Sequence, residues 1–187
     1  MTGLSWASLS TPVGQVSVGC SQSGVARVRY GRPADPTTGE RRADPCSAAA
    51  RFAAAARAEL VEYFRGERQA FDVPVDWAAA DGSRRQVLTV LAETVGYGET
   101  ISYGALARRA GLPADYGSAR TVGAIMAANP LPVIVPCHRV LASDGLGGYS
   151  GGEGVEVKRW LLILEGSHPP TLGWDARGLA GQASRSG

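Results

Sequence analysis

No stretch of this sequence holds the ~18 consecutive apolar residues that a membrane-spanning helix requires. Met1 to Val18 also lacks the apolar core behind a basic head that marks a secretory leader. Cysteine is scarce: Cys20, Cys46 and Cys137 are odd in number, widely separated and never at CxxC spacing. That excludes a dense disulfide framework, gives a zinc site little support, and fits a reducing compartment. An excess of one charge is missing as well. Charged residues make up 19% of the chain and the formal net charge is +2, which suits neither a basic nucleic-acid tail nor an acidic disordered chain. The composition leads us to expect a cytoplasmic protein with no membrane partner. Its 187 residues suffice for one domain or two small ones.

What is present begins as a β-meander. Leu4–Ser10, Gln15–Cys20 and Val25–Tyr30 read as strands, the latter two alternating apolar and polar residues. Thr11-Pro12-Val13-Gly14 and Ser21-Gln22-Ser23-Gly24 read as the turns between them. Gly31–Pro45 has no periodicity and reads as a mobile loop. Ser47 is placed to cap a helix running to about Arg65, with Gly66 past its end. Phe52, Ala56, Leu60 and Phe64 form an apolar stripe on it, with Tyr63 adjoining. Phe71–Trp77 alternates, but Pro74 permits only an edge position.

After a linker at Ala78–Gly82, Ser83 is expected to cap a helix to Val95, with Val87, Leu88, Leu91 and Val95 inward. Two helices follow, Ser102–Ala110 and Ser118–Ala128, at the spacing of a helix-turn-helix, with Arg120 near the start of the second. The same spacing occurs in ordinary helical domains. A last helix over Val155–Glu165 should turn Trp160, Leu161 and Leu164 inward and Lys158 and Arg159 outward. Beyond Ser167 the chain loses periodicity, and Trp174 is its one large anchor.

The chemistry-bearing stretch is Pro136-Cys137-His138-Arg139-Val140, between the apolar run Leu131–Val135 and the glycine-rich segment 145–152. A thiol reacts as its thiolate, a minor species at neutral pH unless a base or a helix N-terminus assists. For an isolated Cys-His pair, a buried structural cysteine beside a surface histidine is the simpler alternative. The surrounding pattern adds more. Ile101-Ser102-Tyr103-Gly104, Ala119-Arg120-Thr121-Val122-Gly123, Asn129-Pro130, Gly148-Tyr149-Ser150-Gly151-Gly152 and Leu161-Leu162…Glu165-Gly166 occur in order around it. Together with Ser10–Gly14 and Tyr63–Gly66, these segments resemble the DNA-protein cysteine alkyltransferases that repair O6-alkylguanine, over roughly residues 6–166.

The resemblance implies an α+β fold. Residues 1–80 would form a ribonuclease-H-like N-terminal sheet with its helix. Residues 81–168 would form a helical DNA-binding and alkyl-transfer domain containing the helix-turn-helix and the cysteine loop, and 169–187 a flexible tail. It implies that Cys137 is the nucleophile and that His138 acts on it through a water, oriented by Glu165. Adjacent side chains diverge, so a water relay is also what geometry asks for. Asn129 would pin the turn presenting the cysteine. Arg120 would fill the space left by a flipped base, and Tyr103 would press the 3′ phosphate and donate to the base. Ser102, Thr121 and Arg139 would complete the DNA contacts, and Met126, Tyr149 and Gly151 the pocket walls. The carbonyls of Cys137 and Val140 would accept from the exocyclic amine, and the Ser150 amide would donate to O6, where negative charge gathers on the leaving guanine.

The product would be a thioether, which water cannot attack, so the expected reaction is a single turnover with no metal and no organic cofactor; the protein is expected to act as a monomer on double-stranded DNA. The substrate is O6-alkylguanine, with O4-alkylthymine as a further candidate. Two departures from the family pattern concern detail: Ser83, Arg84 and Thr89 replace the usual Phe, Gln and Trp, and the loop from Tyr149 to Lys158 is slightly longer. Six Arg between 84 and 139, against Glu93, Glu99 and Asp115, make a modest basic face. The alternatives are a non-reactive alkylated-DNA-binding protein of the same fold, which would lack the acceptor thiol, and a Cys-His hydrolase, which would turn over.

Overall fold

The computed structural model describes residues 3–31, 46–113 and 115–170. The expectations for the 31–45 loop, apart from its ends, and for Trp174 and nearly all of the 169–187 tail lie outside the described residues. The chain divides into two compact units, the second beginning at Ala80.

In the first unit, β1 (Ser5–Thr11), β2 (Gly14–Ser21) and β3 (Gly24–Tyr30) form an antiparallel sheet in that order. The connection after Thr11 closes with Gly14 at φ +98, and the Thr11 hydroxyl accepts from the Val13 amide. Helix α1 (Ala48–Phe64) lies against the sheet. Ser47 caps it by accepting from the Ala50 amide, and Gly66 follows its end at φ +74. Its buried face is Ala49, Ala53, Ala56, Leu60, Tyr63 and Phe64, while Phe52 is only half-buried. The small residues on that face allow helix and strands to approach closely. Phe71–Trp77 makes a single parallel bridge, Val25 with Val75, in place of an edge strand. The Val25 amide donates to the Pro74 carbonyl at 2.8 Å, and a Cβ on Gly24 would lie 2.1 Å from that oxygen.

In the second unit, α2 (Gly82–Thr94) buries Val87, Leu88 and Leu91. Its N-cap is Asp81, so the helix starts before the expected Ser83. β4 (Ile101–Ser102) leads into α3 (Tyr103–Arg109), capped by Ser102. α4 (Tyr116–Ala127) also begins early, because Asp115 accepts from the Ser118 amide and takes the cap. The Ser118 hydroxyl instead donates to Pro113 and is buried. A short 3₁₀ turn, Cys137–Arg139, precedes β5 (Val140–Leu141), which pairs in parallel with β4. The pairing of Ile101 with Val140 fixes the start of α3 beside the cysteine turn. Helix α5 (Val155–Leu164) closes the unit.

One expectation on α5 is reversed: Lys158 is fully buried, and Leu164 is only half-buried. Residues three and four apart share a helix face, so Lys158 shares one with Leu161, Leu162 and Glu165. Among the described residues, no helix is long and apolar enough to cross a membrane.

Candidate active site

The loop before Cys137 is held from within. Asn129 donates through Nδ2 to the Val135 carbonyl at 2.9 Å and accepts the Leu131 amide at 3.0 Å. Val135 in turn donates to Leu131 at 2.8 Å, and Cys137 to Val135 at 2.8 Å. At the apex Pro132 presets φ, and Val133 takes φ +75, a conformation costly for a β-branched residue. Its side chain is nevertheless buried, so packing and the Asn129 staple hold the strained turn. The result is a fixed starting point for the 3₁₀ turn that carries Cys137, His138 and Arg139.

Below that turn lies a buried ionic cluster. His138 Nε2 is 2.8 Å from Glu165 Oε1, and both side chains are fully buried. Arg139 donates to the same carboxylate through Nε at 2.9 Å and another guanidinium nitrogen at 3.0 Å, and to the Val95 carbonyl at 2.7 Å. Burial by itself would raise the Glu165 pKa, but the hydrogen bonds from His138 and Arg139 outweigh it and hold the carboxyl at about 2. An ionised carboxylate can only accept, so His138 must donate through Nε2. Its Nδ1 is then the basic nitrogen. Among the described residues, it is the one buried side-chain nitrogen or oxygen with no hydrogen-bond partner. Burial keeps the His138 pKa below the ordinary imidazole value, so the ring is neutral near pH 7.

This cluster corrects the expectation for Arg139. The residue is 6% exposed and its guanidinium is committed to Glu165 and Val95, so it orients the carboxylate and offers nothing to a phosphate. Tyr97 and Gly98, at the turn after α2, close over the same place. Tyr97 donates to the Leu164 carbonyl at 3.0 Å, and the Gly98 amide points to Glu165 Oε2 at 3.4 Å.

Cys137 forms part of a cavity of about 350 Å³ whose walls include Tyr103, Gly123, Met126, Tyr149 and Ser150. Burial raises the thiol pKa, against lowering contributions from Asn129, the Lys158 charge and Tyr149. The resting group is therefore a thiol, and reaction requires a base. The structure brings Tyr103, Met126, Tyr149 and Ser150 to the cavity as expected from the sequence, whereas Val140 and Gly151 are not among its walls. The Ser150 hydroxyl donates to the Ala127 carbonyl at 3.0 Å and ties this loop to α4.

Lys158 is the functional side chain that sequence reasoning missed. Its Nζ donates to the Val140 carbonyl at 2.7 Å and the Gly148 carbonyl at 3.3 Å, joining the cysteine segment to the opposite wall. It also lies 5.9 Å from the centre of the Tyr103 ring. Burial lowers its pKa to about 8, so it is mostly charged at neutral pH. The Val140 carbonyl, expected to face a guanine amine, thus already accepts from an ammonium. The available signal was position, three residues before Leu161; residue type argued the other way. Lys158→Met should slow reaction of the thiol with a small electrophile about tenfold, through the lost charge and the loosened wall. Stopped-flow alkylation across pH checks it. The parent rate should lose its lysine-dependent component above about pH 8, and the variant should show no such component.

A second hollow, of about 630 Å³, adjoins this cavity and includes Ser102, Tyr103, Ala119, Arg120 and Leu141 among its walls. Arg120 and Thr121 are exposed on α4, and the Thr121 hydroxyl donates to Gly117. Thr121 is not part of the hollow's wall.

Fold and site together define a protein that presents a buried thiol at the wall of a small cavity, with a carboxylate-oriented histidine next to it in sequence. The model described as "6-O-methylguanine DNA methyltransferase, DNA binding domain" matches residues 83–167, and the crystal structure of the Mycobacterium tuberculosis O6-methylguanine methyltransferase matches with a TM-score of 0.72 at 34% identity, over 90% of this chain and 96% of that one. The chain belongs to the methylated-DNA–protein-cysteine methyltransferase family. The Mycobacterium tuberculosis OGT in complex with DNA matches at TM-score 0.70 and 34% identity, over 87% of this chain and 93% of that one. The mouse methylated-DNA–protein-cysteine methyltransferase is 53% identical over 87 residues, which are 46% of this chain and 39% of that relative.

Proposed function

We propose that the chain repairs DNA by transferring the alkyl group of O6-alkylguanine to Cys137. The observation that carries this is the unpartnered, buried Nδ1 of His138, left basic by the Glu165 hydrogen bond on the residue that follows the cavity-wall Cys137 in sequence. The thiol proton passes to Nδ1 through a water, and Sγ attacks the alkyl carbon. The C–O bond breaks as the C–S bond forms, and guanine leaves with negative charge that takes up a proton. Glu165 positions the imidazole and stabilises its charged form, while Arg139 holds the Glu165 carboxylate in place. Tyr103 and the Ser150 amide are the candidate donors to the leaving base.

A buried thiol cannot reach O6 within a stacked duplex, so the base must be flipped out. We assign α3 and α4 to DNA binding as a helix-turn-helix, with Ser102 and Thr121 contacting the backbone and Arg120 entering the stack. The first unit is assigned a ribonuclease-H-like fold, and the protein is read as a monomer with its two working parts at 1–80 and 81–168. O4-alkylthymine is a second candidate substrate.

Intact-mass measurement after incubation with an O6-methylguanine duplex tests the reading. One added methyl per protein is expected. No mass gain would identify a lesion binder, and turnover without modification a hydrolase. Arg120→Ala should slow reaction with duplex DNA on the order of a hundredfold, and with free O6-alkylguanine base far less, because only the duplex requires extrusion. Equal slowing of both would assign Arg120 to the chemistry or the fold.

A further inference from the structure

Helix α5 ends at Leu164, and the carbonyls of its last turn have no partner within the helix. Three of them are answered by the chain that follows: Leu161 accepts from the Glu165 amide, Leu162 from Ser167 and Ile163 from Gly166. The fourth is answered from elsewhere. Leu164 accepts from the Tyr97 hydroxyl at 3.0 Å, 67 residues away in sequence. Leu164 immediately precedes Glu165, so this bond fixes the backbone from which the carboxylate reaches His138 Nε2 and Arg139.

The turn carrying Tyr97 touches the same cluster at two further points. The Val95 carbonyl accepts from Arg139 at 2.7 Å, and the Gly98 amide points to Glu165 Oε2 at 3.4 Å. Gly98 has φ +77, and a Cβ on it would lie 2.9 Å from the Glu165 carbonyl oxygen, so this approach requires glycine. Glu99 closes the turn by accepting the Gly96 amide at 2.8 Å. A phenylalanine at 97 would fill the same space. What the hydroxyl adds is the anchor on α5. Burial and the Glu165 charge keep its pKa above the ordinary phenol value, so it stays a donor.

We propose that Tyr97 is a positioning residue for the base of the transfer: its hydroxyl holds the end of α5 where Glu165 meets His138. This deepens, and rests on, the relay in which His138 takes the Cys137 proton. His138 is faced by Glu165 and Lys158 from α5 and by Arg139 from its own turn. Burial lowers its pKa, the Glu165 hydrogen bond and charge raise it, and the Arg139 and Lys158 charges lower it. Slackening the Glu165 contact therefore makes His138 a weaker base.

The test compares the parent with Tyr97→Phe in the alkylation of Cys137 by iodoacetamide across pH. The Cys137 peptide is quantified by mass, so that the exposed Cys46 does not count. The acid limb of the rate marks protonation of His138. In Tyr97→Phe its midpoint should move to lower pH, and the plateau rate should fall roughly fivefold, the effect of losing one hydrogen bond. A fold that is merely looser acts in the opposite sense: water reaching the ring carries the midpoint up toward the ordinary imidazole value. The His138 ring resonances, in a chain with only one other histidine, read the same midpoint by NMR. A midpoint that stays or rises overturns the proposal. Glu99→Ala, which opens the turn at an exposed side chain, should shift the midpoint the same way but less. Glu99→Gln, which loses the charge and keeps the acceptor, should stay with the parent. This pair decides the matter if Tyr97→Phe does not fold. Methyl transfer from an O6-methylguanine duplex reports on the function separately. If the parent transfers methyl and the midpoint stays, only the role of Tyr97 is lost. If it transfers none while the midpoint shifts, the repair reading is lost and the support of the base stands.

Discussion

Cys137→Ser is expected to gain no alkyl mass from an O6-methylguanine duplex while still binding that duplex about as tightly as the parent. The exchange hardly changes volume, so the cavity and the Asn129-stapled turn should persist. What changes is the acid. Burial already raises the pKa of the Cys137 thiol, and in the proposed relay His138 removes its proton through Nδ1. A hydroxyl is a far weaker acid and its oxygen a poorer nucleophile toward saturated carbon, so the same base no longer suffices. Mass spectrometry reads the transfer, and fluorescence anisotropy of labelled duplex reads the binding. Alkyl transfer by the Ser variant at the parent rate would falsify the nucleophile assignment.

Glu165→Gln should lower both stability and rate, and the pH dependence separates the two. Without the carboxylate charge, the Arg139 guanidinium is buried without its counter-ion, at an expected cost of about 3–5 kcal/mol and a melting temperature lower by roughly 10 °C. In the parent, the folded Glu165 pKa of about 2 lies below the usual 4.5. A lowered carboxyl pKa contributes stability that is fully present above the unfolded value and is lost as pH falls through the folded one. The parent should therefore lose about 3 kcal/mol between pH 4.5 and 2 from this group, and the Gln variant should not. Urea titrations at several pH values measure it. Parallel acid unfolding of the two proteins would mean that Glu165 is not the buried anion described here. The rate should fall because the imidazolium formed during transfer no longer faces a carboxylate. A Gln variant that folds and reacts at the parent rate removes Glu165 from the relay.

Local signals in the sequence determined much of the architecture. Alternation with Pro and Gly at the turn set the hairpin strands, because the strand period and the turn conformations are properties of a few neighbouring residues. Ser47 marked the start of α1, and the spacing of Val87, Leu88 and Leu91 marked the buried face of α2. Helix starts were less legible where two capping residues compete. Asp115 and Ser118 are both good caps, and only the fold shows that the Ser118 hydroxyl is occupied by Pro113.

Pro136–Val140 was visible as the candidate chemical centre because a thiol and an imidazole are adjacent in it. Their environment was not visible. Whether Arg139 meets a phosphate or a buried carboxylate depends on Glu165, which is 26 residues away in sequence, and on the Val95 carbonyl from another helix end. Lys158 illustrates the same limit. Its position placed it on the inward face of α5, but an ammonium is buried only where acceptors await it, and the Val140 and Gly148 carbonyls come from other segments. Residue type and spacing thus chose most of the elements and the candidate reactive group. The tertiary structure decided which charges are buried, because burial of a charge depends on partners that only folding brings together.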